Sequence, residues 1–260
     1  MTSRRPRPAI GAAELLTAWE EGSRQSPARR ALTLLALLWP DLPIPSLAAL
    51  PIGERDGRLL SLREMLFGPR LTGVTVCPKC GERLELECDV SDLRAQSGAE
   101  IGESFVVAVD GYEIMCRLPT TGDLLAITER AGSGAEPPNV QDLAVRCVLS
   151  ARFADHEHTD GPVDVAAQTL PDEVIARIAA RMAEIDPQGD VQFALVCTVC
   201  HYEWTAGFDA TAFLWSELED WARHMLWEVH RLAASYGWRE ADILAMSAPR
   251  RRVYLQMIGA

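Results

Sequence analysis

Long apolar runs are missing from this 260-residue chain. The longest, Ala31–Trp39, spans nine residues and stops at Pro40. A membrane-crossing helix needs roughly 20. Met1–Pro8 carries Arg4, Arg5 and Arg7, and no clean apolar stretch with a small-residue cleavage site follows, so no signal peptide is expected. Positive charge is also scarce: 25 basic residues face 37 acidic ones, for a net charge of −12. Among the basic residues only Lys79 is a lysine, which we read as base composition and give no functional weight. The charge is uneven, with +3 over residues 1–40, +2 over 239–260 and −17 between them. An acidic body repels phosphate backbones, the term that dominates non-specific nucleic-acid binding. Catalytic constellations are lacking too. No Ser/His/Asp arrangement, Gly-rich phosphate loop or inward carboxylate pair stands out, so an enzyme is not expected.

What is present starts with composition. Nearly half the residues are apolar, enough for a substantial core. Seven cysteines, an odd number, fit a reducing compartment better than a secreted disulfide framework. Cys88, Cys116 and Cys147 sit in apolar or strand-like contexts and read as small buried hydrophobes.

The other four cysteines form two Cys-x-x-Cys pairs, Cys77/Cys80 and Cys197/Cys200, with residues 81–196 between them. Each such turn presents two thiolates from one tight loop, and four thiolates can surround one tetrahedral zinc. Both pairs lie between strand-like segments, which makes the signal specific. The separation does not forbid a shared site. Lengthening a loop from about 17 to 116 residues adds roughly 1.7 kcal/mol of closure entropy. Structural zinc contributes on the order of 10–16 kcal/mol in small fingers. The site so expected is structural, because four thiolates leave no open coordination position. A thioredoxin-like redox role is disfavoured, since a strand rather than a helix follows Cys80. Asp155-His156-Glu157-His158 suggests a second metal site, but a polar loop is the better reading. His224 and His230 are six apart on a helix and do not share a face.

Along the chain, residues 12–20 and 28–39 read as helices, 40–53 as an extended connector, and 59–67 as a third helix stopped by Gly68-Pro69. Strands flank each cysteine pair: 71–76 and 83–88, then 191–196 and 202–205. Gly81 suits the positive φ that a tight knuckle often needs, and His201 takes the equivalent place in the second. Between the pairs, 104–109 and 112–118 flank Asp110-Gly111, a strong hairpin signal. Helices are expected at 123–131, 139–150 and 171–185, and a polar loop at 154–168. A long helix follows from about 209 to 235, its stripe of Leu214, Leu218, Trp221, Met225, Val229 and Leu232 read as core. Two short helices, 239–247 and 249–258, close the chain, and Arg250-Arg251-Arg252 reads as a solvated helix end.

Several segments together resemble a known family. They are Leu50-Pro51-Ile52-Gly53-Glu54-Arg55-Asp56, Leu62-Arg63-Glu64, Phe67-Gly68, the first knuckle, Ile185-Asp186-Pro187-Gln188 and the second knuckle. Glu228-Val229-His230-Arg231-Leu232-Ala233, Tyr236–Leu244 and Arg251-Arg252-Val253-Tyr254-Leu255 complete the likeness. The family is encoded beside contractile phage tails and extracellular contractile injection systems. Its members are labelled baseplate proteins, or hub assembly chaperones of the T-even phage type. The second knuckle departs from it, with Thr198, Val199 and His201 where members commonly have Pro and Gly.

The expectation is thus an α+β protein, mainly helical, organised around a split four-cysteine zinc ribbon with a long insertion. Its parts are an N-terminal helical region (1–70), the split ribbon (71–100 and 190–208), an inserted β-hairpin with helices (101–189) and C-terminal helices (209–260). One structural zinc per chain would be held by Cys77, Cys80, Cys197 and Cys200. The resemblance implies a non-enzymatic baseplate component or hub assembly chaperone with hub or spike proteins as partners. It implies a bacterial cytoplasmic location, or incorporation in a phage-tail-like particle. The alternative is a zinc-ribbon nucleic-acid-binding or transcription accessory protein. It calls for basic and aromatic residues at the knuckles, where Glu82, Glu85, Glu87, Asp89, Glu203 and Asp209 stand against Lys79 and Arg83.

Overall fold

The computed structural model describes residues 10–95, 104–131, 139–153 and 163–259. The chain opens with α1 (Ala12–Gly22), α2 (Pro27–Leu38), α3 (Ile44–Ala48) and α4 (Ile52–Phe67). Next come β1 (Arg70–Val76), β2 (Arg83–Asp89) and α5 (Val90–Leu93). The middle holds β3 (Phe105–Val109), β4 (Tyr112–Cys116), α6 (Thr121–Ala131), α7 (Val140–Arg146), β5 (Val148–Phe153), β6 (Val163–Asp164) and α8 (Asp172–Ile185). The last part is β7 (Gln192–Val196), β8 (Glu203–Gly207), α9 (Ala210–Tyr236), α10 (Glu240–Leu244) and α11 (Ala248–Met257). The fold class is α+β, rich in helix with small sheets, as read from sequence. No helix among the described residues is long and apolar enough to cross a membrane. The residues group into two compact units, Met1–Ile44 with Ala210–Ala260, and Pro45–Asp209.

In the first unit, α1 and α2 form a short-looped helical hairpin that packs on α9. Pro27 opens α2, where its missing N–H is harmless. The apolar stripe of α9 is buried at Leu214, Leu218, Met225, Val229 and Leu232. Gly22 lets the chain turn beneath Trp215: a Cβ there would lie 2.4 Å from the indole. Arg30 stacks 4.6 Å from the same ring and donates to the Gly22 carbonyl at 3.0 Å. The C-terminal helices fold back on α9, where Val229, Leu232, Ile243 and Leu255 form one cluster.

The triple arginine corrects the sequence reading. Arg250 and Arg252 are exposed, but Arg251 is buried. Its Nε donates to Glu228 at 2.8 Å and its Nη1 to the Met246 carbonyl at 2.6 Å. A helix turns by about 100° per residue, so three adjacent arginines cannot share one environment.

In the second unit, β3, β4, β5 and β6 form an antiparallel sheet in that order. Asp110 (φ 48°) and Gly111 (φ 81°) make the tight turn between β3 and β4. Val107, Ile114, Cys116 and Ala151 of the sheet are buried together with Ala144, Cys147, Val174, Ile178 and Met182. Cys116 and Cys147 are therefore core residues, and burial raises their thiols to about 11 and about 12. Cys88 is half-buried.

Three local expectations change here. Residues 148–150, expected to end a helix, belong instead to the strand 148–153, because β4 offers it a ladder with a bulge at Met115/Cys116. The connector at 40–53 contains α3. The following helix starts at Ile52, seven residues before its apolar periodicity begins, with Gly53 and Gly57 inside it.

Candidate metal centre

Each cysteine pair sits at the tip of its own hairpin. β1 pairs antiparallel with β2, Val76 opposite Arg83, and β7 with β8, Val196 opposite Glu203. Alternation exposes every second side chain: Leu84 and Leu86 on one hairpin and Leu195 and Trp204 on the other are half-buried, whereas Val74, Val76 and Val196 face outward. The two sheets stay separate. No strand ladder joins them among the described residues.

The knuckles repeat the same hydrogen bonds. Cys77 N–H donates to the Glu82 carbonyl at 2.8 Å and Gly81 N–H to the Cys77 carbonyl at 2.9 Å. Cys197 N–H donates to Tyr202 at 2.9 Å and His201 N–H to Cys197 at 3.0 Å. Gly81 has φ 78° and His201 φ 54°, so both closing positions are left-handed. A histidine replaces glycine there because it tolerates this region better than most side chains.

All four sulfurs lie within 4.8 Å of one another. Cys77 Sγ is 3.7 Å from Cys200 Sγ, and Cys80 Sγ is 3.5 Å from Cys197 Sγ. First cysteine meets second cysteine in both pairs, so an approximate two-fold axis relates the knuckles. A tetrahedral ion with metal–sulfur bonds of about 2.3 Å requires sulfurs about 3.8 Å apart. The cluster fits that geometry and could hold a metal ion. Backbone N–H groups of Cys200 and then Val199 point at Cys197 and pull its thiol down to about 7. At Cys80 the Glu82 N–H also favours the thiolate, but desolvation and the neighbouring thiols outweigh it and push it up to about 12.

The bases of the hairpins are joined as well, through residues whose role sequence reasoning missed. Asp186, just before β7, accepts from Gly53 N–H at the start of α4 at 2.8 Å. Gln188 accepts from Ala95 N–H at 2.9 Å and donates to the Leu93 carbonyl at 3.1 Å. α4 leads into β1, and residues 187–189 lead into β7, so the turn fixes both hairpins at their roots. Both segments belong to the family-like motifs, which was the one available signal for them.

A second polar centre steadies the insert. Asp123, buried at the start of α6, accepts from Arg117 at 2.6 and 2.8 Å, from Arg146 at 2.8 Å, and from the Thr120 N–H and hydroxyl at 3.0 and 2.8 Å. His156 and His158 lie outside the described residues. His224 stacks on Trp227, contacts Glu228 at 3.3 Å and belongs to no ligand cluster found among the described residues.

Residues 39–215 match the family described as T4 bacteriophage base plate protein. The match spans both knuckles, the insert between them and the Asp186 turn. No curated protein and no solved structure matches the chain. The chain belongs to the T4 bacteriophage base plate protein family.

Proposed function

We propose that this chain is a non-enzymatic base plate component or hub assembly chaperone of a contractile, phage-tail-like injection system. In this reading one zinc ion, bound by Cys77, Cys80, Cys197 and Cys200, holds the two hairpins together. The observation that carries it is the family match across both knuckles, combined with four sulfurs at tetrahedral spacing. A sulfur-only tetrahedral set selects zinc or iron–sulfur chemistry, and redox-inert zinc suits a clasp whose coordination is complete. The working parts are then the helical region 1–70, the split zinc module 71–100 and 190–208, the insert 101–189 and the C-terminal helices 209–260. Hub or spike proteins are the partners, met in the bacterial cytoplasm during assembly or within the particle.

The test is coexpression of the tagged chain with the hub and spike proteins of its own gene cluster. Copurification is expected, and particle assembly should fail in a clean deletion strain. Normal assembly without the chain would sink the reading. Mass spectrometry of finished particles separates a retained subunit from a chaperone that leaves. A salt-dependent gel shift would instead favour a nucleic-acid binder, against which the carboxylates beside the knuckles weigh.

A further inference from the structure

The first unit has an open groove. It lies between α1 and α2, has a volume of about 340 Å³, and no residue of α9 lines it. One wall is Glu14, Thr17, Ala18 and Glu21; the other is Thr33, Ala36, Leu37 and Pro40. The α1 wall steps by three, four and seven and the α2 wall by three and four, with Pro40 just past the end of α2; this is the spacing that receives the side chains of another helix packed lengthwise. Ala18 and Ala36 keep the floor low enough for close approach. Ile44, 47 % exposed, stands at one end. Glu21 is exposed and makes one edge acidic; Glu14, two helical turns away at about 10 Å, accepts the Gly11 N–H at 2.9 Å.

The same unit carries a helix of complementary character. α11 buries Arg251 and Leu255 against its own chain and turns Val253 and Met257 outward, 49 % and 68 % exposed. Arg250 and Arg252 flank this apolar pair, and both are exposed. The ten residues of α11 span about 15 Å, close to the length of the 11-residue α1. The groove is acidic and apolar; the exposed face of α11 is basic and apolar.

We infer that α11 of a second copy of this chain docks in the α1–α2 groove, with Val253 and Met257 over Ala18 and Ala36 and Arg252 toward Glu21. Groove and helix are different surfaces, so the contact is head-to-tail. It builds a closed ring or an open chain rather than a two-fold dimer. The inference does not depend on the base plate reading, since α1, α2 and α11 lie outside residues 39–215.

The test is the mass of the full-length, metal-loaded chain in reducing buffer, by sedimentation and light scattering across concentration and salt. Concentration-dependent association that weakens with salt is expected. Ala36→Trp fills the groove and Met257→Glu spoils the helix, so each variant alone should be monomeric. Each keeps the other surface intact, so an equimolar mixture should stop at the one-to-one pair. Glu21→Arg should lower association roughly tenfold, and Arg252→Glu in the same chain should restore it. Circular dichroism melts check that each variant folds. A wild-type chain that stays monomeric at about 100 μM overturns the inference, as does association that both variants leave unchanged, or a mixture that fails to pair.

Discussion

Asp186 holds the backbone N–H of Gly53 at 2.8 Å, a hydrogen bond between residues 133 positions apart. The contact is so close that a Cβ on Gly53 would fall 1.8 Å from the Asp186 carboxylate. It also places a carboxylate at the positive end of α4.

Two glycines one turn apart in α4 should therefore respond with opposite sign. Alanine is intrinsically better than glycine in a helix by about 1 kcal/mol. At Gly57 the new Cβ meets only the Gln188 Cγ at 3.8 Å, an ordinary contact. Gly57→Ala should stabilise by about 0.5–1 kcal/mol. Gly53→Ala should destabilise by about 2–4 kcal/mol, through the clash and the lost hydrogen bond. Urea denaturation of the two variants reads both values, and equal shifts would sink the Asp186 contact.

Purified without chelator, the protein should carry about one zinc per chain, by the stoichiometry of four thiolates to one tetrahedral ion. The Cys197→Ser, Cys200→Ser double variant should lose it, and so should Cys77→Ser with Cys80→Ser. Plasma mass spectrometry measures this directly. Full zinc in either double variant would falsify a shared site.

The closing positions of the knuckles differ in side chain but share a left-handed backbone. His201→Gly should be neutral or gain up to about 1 kcal/mol, and His201→Val should cost about 1–2 kcal/mol, because β-branching is the least tolerant of positive φ. Gly81→Ala should cost about 1 kcal/mol, although a Cβ there meets nothing within 4 Å, so the penalty is conformational and not steric crowding. Thermal melts and zinc competition with a chromogenic chelator should rank the three alike.

The three adjacent arginines of α11 should separate sharply. Arg251→Ala leaves Glu228 without its buried partner and should cost about 3–5 kcal/mol. Arg250→Ala and Arg252→Ala, at exposed sites, should stay within about 0.5 kcal/mol in dilute, monomeric protein. Similar losses at all three would contradict the packing of α11 on α9.

Asp123 gives the insert an acid-sensitive anchor. Burial alone would raise its pKa, but hydrogen bonds from Arg117 and Thr120 outweigh it and hold the carboxyl down at about 2, against an ordinary 3.8. Because the folded value is depressed, its stabilising contribution is full above pH 3.8 and is lost as pH falls toward 2. The contribution is about 2 kcal/mol. The stability gap between wild type and Asp123→Asn should be largest near pH 6 and shrink by about that amount between pH 5 and 2. A gap that is flat with pH would refute the depressed pKa.

Elements whose evidence is local could be read from the chain alone. The stripe of α9, the Asp110-Gly111 turn and the Cys-x-x-Cys knuckles each place their signal within a few residues. So does α8, where Pro171 precedes a run of buried Val174, Ile175, Ile178 and Met182. The strand β5 and the first two turns of α4 were not readable in this way. Val148–Phe153 carries no clean alternation, and its ladders to β4 and β6 make it a strand. Ile52–Arg58 holds two glycines and mixed charges; its first turn is held by Asp186, which accepts the Gly53 N–H and stands where a Gly53 side chain would otherwise be.

The four cysteines mark the same division. Their types and spacing within each pair follow from adjacency, so the residues alone specified two knuckles able to offer two thiolates each. That the sulfurs meet 3.5 and 3.7 Å apart is a property of the folded path between residues 81 and 196. The same holds for Arg251, buried between two exposed arginines, and for Asp123, gathered by Arg117 and Arg146. Periodicity and turn chemistry act along the chain within a few residues, whereas partners far apart in sequence are chosen only when the core closes and decides which polar groups must be satisfied inside it.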